Sequence, residues 1–152
     1  MAIRVFHGSF DNDLFYTCSL IEYIGRQQKL ERQDVIKYLG ESRIKLIYSR
    51  ADVLHCEPIE KNAYEFARMA DISSGTFDNI ASCKYTPPSY WDIGKVYCRL
   101  ITDVSKGDKI KTLIEVYNSW FNKELQNFNS DLYYQSREYL KICYSEKRIV
   151  EG

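Results

Sequence analysis

Apolar residues recur at helical spacing along almost the whole chain, and that period limits the fold more than any other feature. Ile93, Val96, Tyr97, Leu100, Ile101 and Val104 follow i, i+3, i+4, i+7, i+8, i+11, the stripe of an amphipathic helix. Residues 11–28 repeat the pattern with Leu14, Cys18, Ile21 and Gly25, widened by Phe15 and Ile24, and Asp11 or Asp13 can cap the start. A shorter helix is predicted from Glu31 to Leu39 with Gly40 as its stop, and a third after Ser42 with Ile44, Ile47 and Tyr48 inward. Pro58 suits the first position of a fourth, whose stripe is Ile59, Ala63, Phe66, Ala67 and Ala70. After the helix around Val96, the spacing predicts one long helix from Asp108 to Phe128. A last helix follows, capped by Ser130 and carrying Leu132, Tyr139, Leu140 and Cys143. The expected fold is all-α, an irregular bundle of six or seven helices, with a short N-terminal strand over Ile3-Arg-Val-Phe.

Pro87-Pro88 forbids helix through the segment from Thr76 to Ser89. It divides the chain into sub-bundles 1–75 and 89–152. Each half alone would hold a small core, so a single domain over 1–152 with two packed sub-bundles is expected. No apolar run reaches the ~20 residues of a membrane helix, and Met1 to Ser9 lacks a signal-peptide apolar region. The five cysteines are odd in number and scattered, the pattern of thiols in a reducing compartment. A cytoplasmic location without membrane contact is expected.

Histidine is the usual proton shuttle and metal ligand, and the chain has two, His7 and His55. His55 adjoins Cys56, but adjacent side chains rarely converge on one target, and no ligand spacing surrounds them. Glu57, Glu60 and Glu65 suit a solvated helix face. The glycines are isolated, so no loop cradles phosphate. We expect no catalytic residue, no metal site and no cofactor.

Phe6-His7-Gly8-Ser9, followed by Phe15-Tyr16-Thr17, resembles the opening of some bacterial ADP-ribosyltransferase-type enzymes. That resemblance implies an NAD-dependent transferase using His7 and Tyr16. The spacing is shorter than in that family, whose fold is mainly β, and this reading ranks third. Residues 13–68 are similar to a family of small uncharacterised bacterial helical proteins, often encoded beside ADP-ribosyltransferase-like toxin candidates. The similarity rests on Phe15-Tyr16-Thr17-Cys18, Ile21-Glu22-Tyr23, Asp34-Val-Ile-Lys-Tyr-Leu and Val53-Leu54-His55-Cys56 before a helix near Ile59. It implies an accessory or antitoxin-like role and transfers no site residue.

Charge balances overall, 21 basic against 21 acidic, but not locally. Seven basic residues (Arg26, Lys29, Arg32, Lys37, Arg43, Lys45, Arg50) face three acidic ones between 26 and 50, and the ratio reverses to 92. Two short helices split by Gly40 in a basic stretch suit a helix-turn-helix DNA regulator reading through Arg32, Lys37, Arg43 and Lys45. A zero net charge argues against that use. The thirteen tyrosines are the stronger hint, because tyrosine and tryptophan dominate contact hot spots. About half fall beside predicted core stripes. A stiff proline turn displays Tyr85, Tyr90 and Trp91, and Tyr133 and Tyr134 line the last helix. The sequence points first to a non-catalytic module that binds another protein through these five residues.

Overall fold

The deepest element is the first helix. Leu14, Cys18, Leu20 and Ile21 of α1 (Asn12–Gln28) are fully buried, and even Thr17 and Ser19 are withdrawn from solvent. The computed structural model describes residues 10–151, and every regular element among them is helical. After α1 come α2 (Arg32–Ser49), α3 (Ala51–Leu54), α4 (Ile59–Met69), α5 (Tyr90–Val104), α6 (Lys109–Tyr117) and α7 (Trp120–Leu125). A 3₁₀ turn (Leu132–Tyr134) then leads to α8 (Arg137–Glu146). The all-α irregular bundle is the observed fold. The predicted strand over Ile3-Arg-Val-Phe and the His7-Gly8-Ser9 turn lie outside the described residues.

α1 is wrapped by α2, α3, α4 and α5, and its most extensive contact is with α5. The two helices cross closely because Gly94 lacks a side chain. A Cβ there would fall 2.9 Å from Ser19 Cα and 2.1 Å from Ser19 Oγ. Both of these helices, α1 and α5, start on a side-chain cap. Asp11 Oδ1 accepts from the Leu14 amide at 3.0 Å, and Ser89 with Asp92 forms a reciprocal capping box at α5. One hydrophobic cluster runs from Leu14 through Ile47, Phe66, Ile101 and Phe121 to Cys143, drawing on both sides of Pro87-Pro88.

One predicted boundary is observed and two differ. Gly40 leaves the helical region at φ 76°, ψ 162°, so residues 32–49 are two helical stretches that meet at a kink there, as predicted, although the second resumes at once without a cap from Ser42. The long helix predicted from Asp108 to Phe128 is two. Ser119 adopts φ −86°, ψ 167° and its hydroxyl donates back to the Val116 carbonyl at 2.7 Å, ending one helix and starting another. The break lets Val116, Tyr117, Phe121 and Leu125 all reach the core. Ser130 caps nothing helical beyond the 3₁₀ turn; the cap of α8 is Ser136, whose hydroxyl accepts from the Tyr139 amide at 3.2 Å.

Candidate functional site

Two regions meet on α1, one ionic and buried, the other aromatic and partly open. The ionic region centres on Glu22, which is 1% exposed. Arg32, 0% exposed, grips it with both arms: Nε to Oε1 and NH2 to Oε2, each at 2.9 Å. Arg26 adds a third contact, Nε to Oε2 at 2.8 Å. Burial alone would raise the Glu22 pKa, but the two guanidiniums outweigh it and hold the carboxyl below its ordinary value. Gly25, one turn from Glu22, creates the room: a Cβ there would lie 2.3 Å from Arg32 Cδ.

From this centre, hydrogen bonds tie distant segments together. Arg32 NH2 also donates to Asn79 Oδ1 at 3.1 Å, Asn79 Nδ2 to the Gln126 carbonyl at 2.8 Å, and Gln126 Nε2 to Glu31 Oε1 at 3.1 Å. Arg26 NH2 donates to the Pro88 carbonyl at 2.8 Å, and its guanidinium lies over the Phe128 ring, 5.4 Å from the centroid. The residue thereby anchors the proline segment that precedes α5. A cleft of about 280 Å³ opens beside this network between Phe77 and Phe128. The Asn79 and Gln126 amides on its wall are already bonded within the protein, which leaves them little to offer a ligand.

The aromatic region lies where α5 begins over α1. Phe10, Phe15, Trp91, Tyr90 and Tyr23 form an unbroken series of ring contacts, with centroids 5.5, 5.6, 5.0 and 5.0 Å apart. The edge-on and tilted geometries are those aromatic pairs prefer. Phe10 at one end and Trp91 in the middle remain 39% and 38% exposed. At the other end, Tyr23 lines a groove between α1 and α4 with Gln27, Glu60 and Tyr64.

The five aromatic residues singled out in the sequence do not form one patch. Tyr90 and Trp91 belong to the first turn of α5 rather than to the proline turn, and they pack towards α1. Tyr133 and Tyr134 stand edge-on to each other in the 3₁₀ turn, 5.1 Å apart, and line a separate groove with Val96 and Arg99. Tyr85 is exposed and shares no ring contact with the others among the described residues. Sequence reasoning missed Phe10, Phe15 and Tyr23 as members of the face. The signal lay in the i, i+8 spacing of Phe15 and Tyr23, which places both on one side of α1.

The basic stretch has turned largely inward or onto the protein itself. Arg32 is buried, so it cannot touch nucleic acid. Arg43 donates to the Leu39 and Met69 carbonyls, each at 3.2 Å, and Lys45 pairs with Glu41 at 2.8 Å. Lys37 is exposed on α2, and Lys29 pairs with Asp78 at 3.0 Å. Tyr16 is buried, and its hydroxyl accepts from Asn62 Nδ2 at 2.7 Å, so it is not free to contact a nucleotide. His55 is exposed at the end of α3, while Cys56 Sγ turns to the Asp52 carbonyl at 3.7 Å. Among the described residues, no three His, Cys, Asp or Glu side chains gather as a metal site, and no helix is long and apolar enough to cross a membrane. Comparison with family models, curated proteins and solved structures finds no match for this chain.

Proposed function

We propose that this chain acts by binding another protein through the aromatic face around Trp91. One observation carries the reading: five rings from three segments touch in sequence, and the tryptophan at the start of α5 is left partly open to solvent. Tryptophan and tyrosine are the residues most often found at binding hot spots. These rings are already fixed by their neighbours and by the capped start of α5, so docking would freeze few rotamers. The polar groups of the basic stretch, by contrast, are mostly engaged within the chain.

The test uses immobilised wild-type protein and the Trp91→Ala variant as baits in an extract of the source cells. Loss of a hot-spot ring should lower recovery of the true partner by about tenfold or more. The far-ultraviolet circular dichroism spectrum should stay helical. Equal recovery of every retained protein by both baits would remove this face from consideration.

A further inference from the structure

We infer that the groove between α5 and α8 is a second docking surface, and that it takes an acidic segment of a partner protein. Its floor is apolar, built by Val96, Leu100 and Leu140, with Leu100 and Leu140 buried. One wall is Tyr133 and Tyr134, and Tyr133 is steadied by an edge-on contact with Phe128 at 5.7 Å. Tyr134 stands 68% exposed beside it.

The opposite wall carries Arg99, an exposed residue of α5. Asp103, one turn further on, would be its natural partner but is taken. Arg137 holds both Asp103 oxygens, Nε to Oδ2 at 2.9 Å and NH2 to Oδ1 at 2.7 Å. Asp92, one turn before Val96, is committed to the capping box with Ser89. Arg99 is thus left without an ion-pair partner among the described residues, with Lys95 one turn before it on the same exposed side. A guanidinium beside an apolar floor and a tyrosine hydroxyl suits a carboxylate flanked by an apolar side chain.

Size and charge decide between occupants. The groove encloses about 150 Å³, well short of the several hundred Å³ of a drug-sized ligand site but enough for a side chain of a docked segment. Nucleic acid gains its affinity from several phosphate contacts at once, and this groove offers one uncommitted arginine over a greasy floor. The groove shares no lining residue with the Trp91 face, whose rings belong to Phe10, α1 and the first turn of α5.

Fluorescence anisotropy with a fluorescein-labelled peptide of alternating Glu and Leu tests the assignment, against a Lys-Leu peptide and a single-stranded oligonucleotide of similar length. The Glu-Leu peptide should bind best and weaken with added salt. Arg99→Glu, a change at an exposed position, should weaken it by about tenfold or more and improve binding of the Lys-Leu peptide. Trp91→Ala should bind the Glu-Leu peptide as the wild type does. Four results would each overturn the proposal: no preference for Glu-Leu over Lys-Leu, no effect of Arg99→Glu, stronger binding of the oligonucleotide, or loss of the peptide in Trp91→Ala. None of them bears on recovery of a partner through the aromatic face.

Discussion

The Glu22 centre and the Trp91 face share α1, where Phe15 and Tyr23 of the face lie within two turns of Glu22, and they respond to opposite pressures. At Glu22, the carboxylate and the Arg32 guanidinium are shut away from water, Arg26 reaches in from a partly open position, and every contact is a directed hydrogen bond. Around Trp91, the contacts are ring on ring, undirected by comparison, and one edge stays wet. The first arrangement tolerates no missing partner, because a buried charge left alone is costly. The second tolerates loss of a ring, because the cost scales with the area that was covered. Composition alone would have assigned the arginines to the surface and the aromatics to the core; at these two places the structure does the reverse.

Substitutions can push each region separately. The largest effect is expected from Arg32→Ala, which strands Glu22: chemical denaturation should show a loss of about 3–5 kcal/mol, against a smaller loss for Arg26→Ala, since Arg26 retains solvent access. A near-neutral Arg32→Ala would mean the centre contributes nothing to stability. Acid should act next. The folded-state pKa of Glu22 is depressed, so its contribution is complete above its unfolded value near 4.5 and is lost as pH falls through the lower folded value. Melting curves from pH 7 to pH 3 should therefore drop more steeply for the wild type than for Glu22→Gln.

The stacked pair Tyr97 and Tyr117, centroids 4.4 Å apart and 7° from parallel, supplies an internal control. Tyr97 donates to Asn122 Oδ1 at 2.6 Å, so Tyr97→Phe should cost about 1 kcal/mol. The buried Tyr117 hydroxyl meets no oxygen or nitrogen partner among the described residues and lies beside the weakly polar Cys18 thiol, so Tyr117→Phe should be neutral or slightly stabilising in the same denaturation assay. Trp91→Ala should likewise cost only about 1 kcal/mol, its main effect falling on binding instead. A collapse of the fold in that variant would make Trp91 a core residue.

The fold was readable because most apolar stripes are local. Val96, Tyr97, Leu100 and Ile101 announce α5 without knowledge of what covers it. The break at Ser119 was not readable, because Tyr117, Trp120 and Phe121 keep a helical rhythm across it and only the neighbouring helices decide where each must point. Arg32 was hidden for a related reason. Its burial depends on Glu22 and on the gap at Gly25, which come from a different helix. A glutamate beside the apolar stripe of α1, close to a mid-helix glycine, was the available clue. At the candidate site, Tyr90 and Trp91 stood out beside the prolines, but their ring partners on α1 come from more than sixty residues away and left no local mark.

The chain has two tryptophans, and one of them is Trp91, the partly open middle member of the aromatic series. The other, Trp120, is partly buried against Phe121 at the start of α7. Replacing Trp120 by phenylalanine would leave a single indole, excited selectively at wavelengths too long for the thirteen tyrosines to absorb, placed where a partner is proposed to land. The protein would then need no attached dye: a blue shift of its own emission on mixing would report occupancy of that face directly, and the indole's quenching by acrylamide would measure how much of it had been covered.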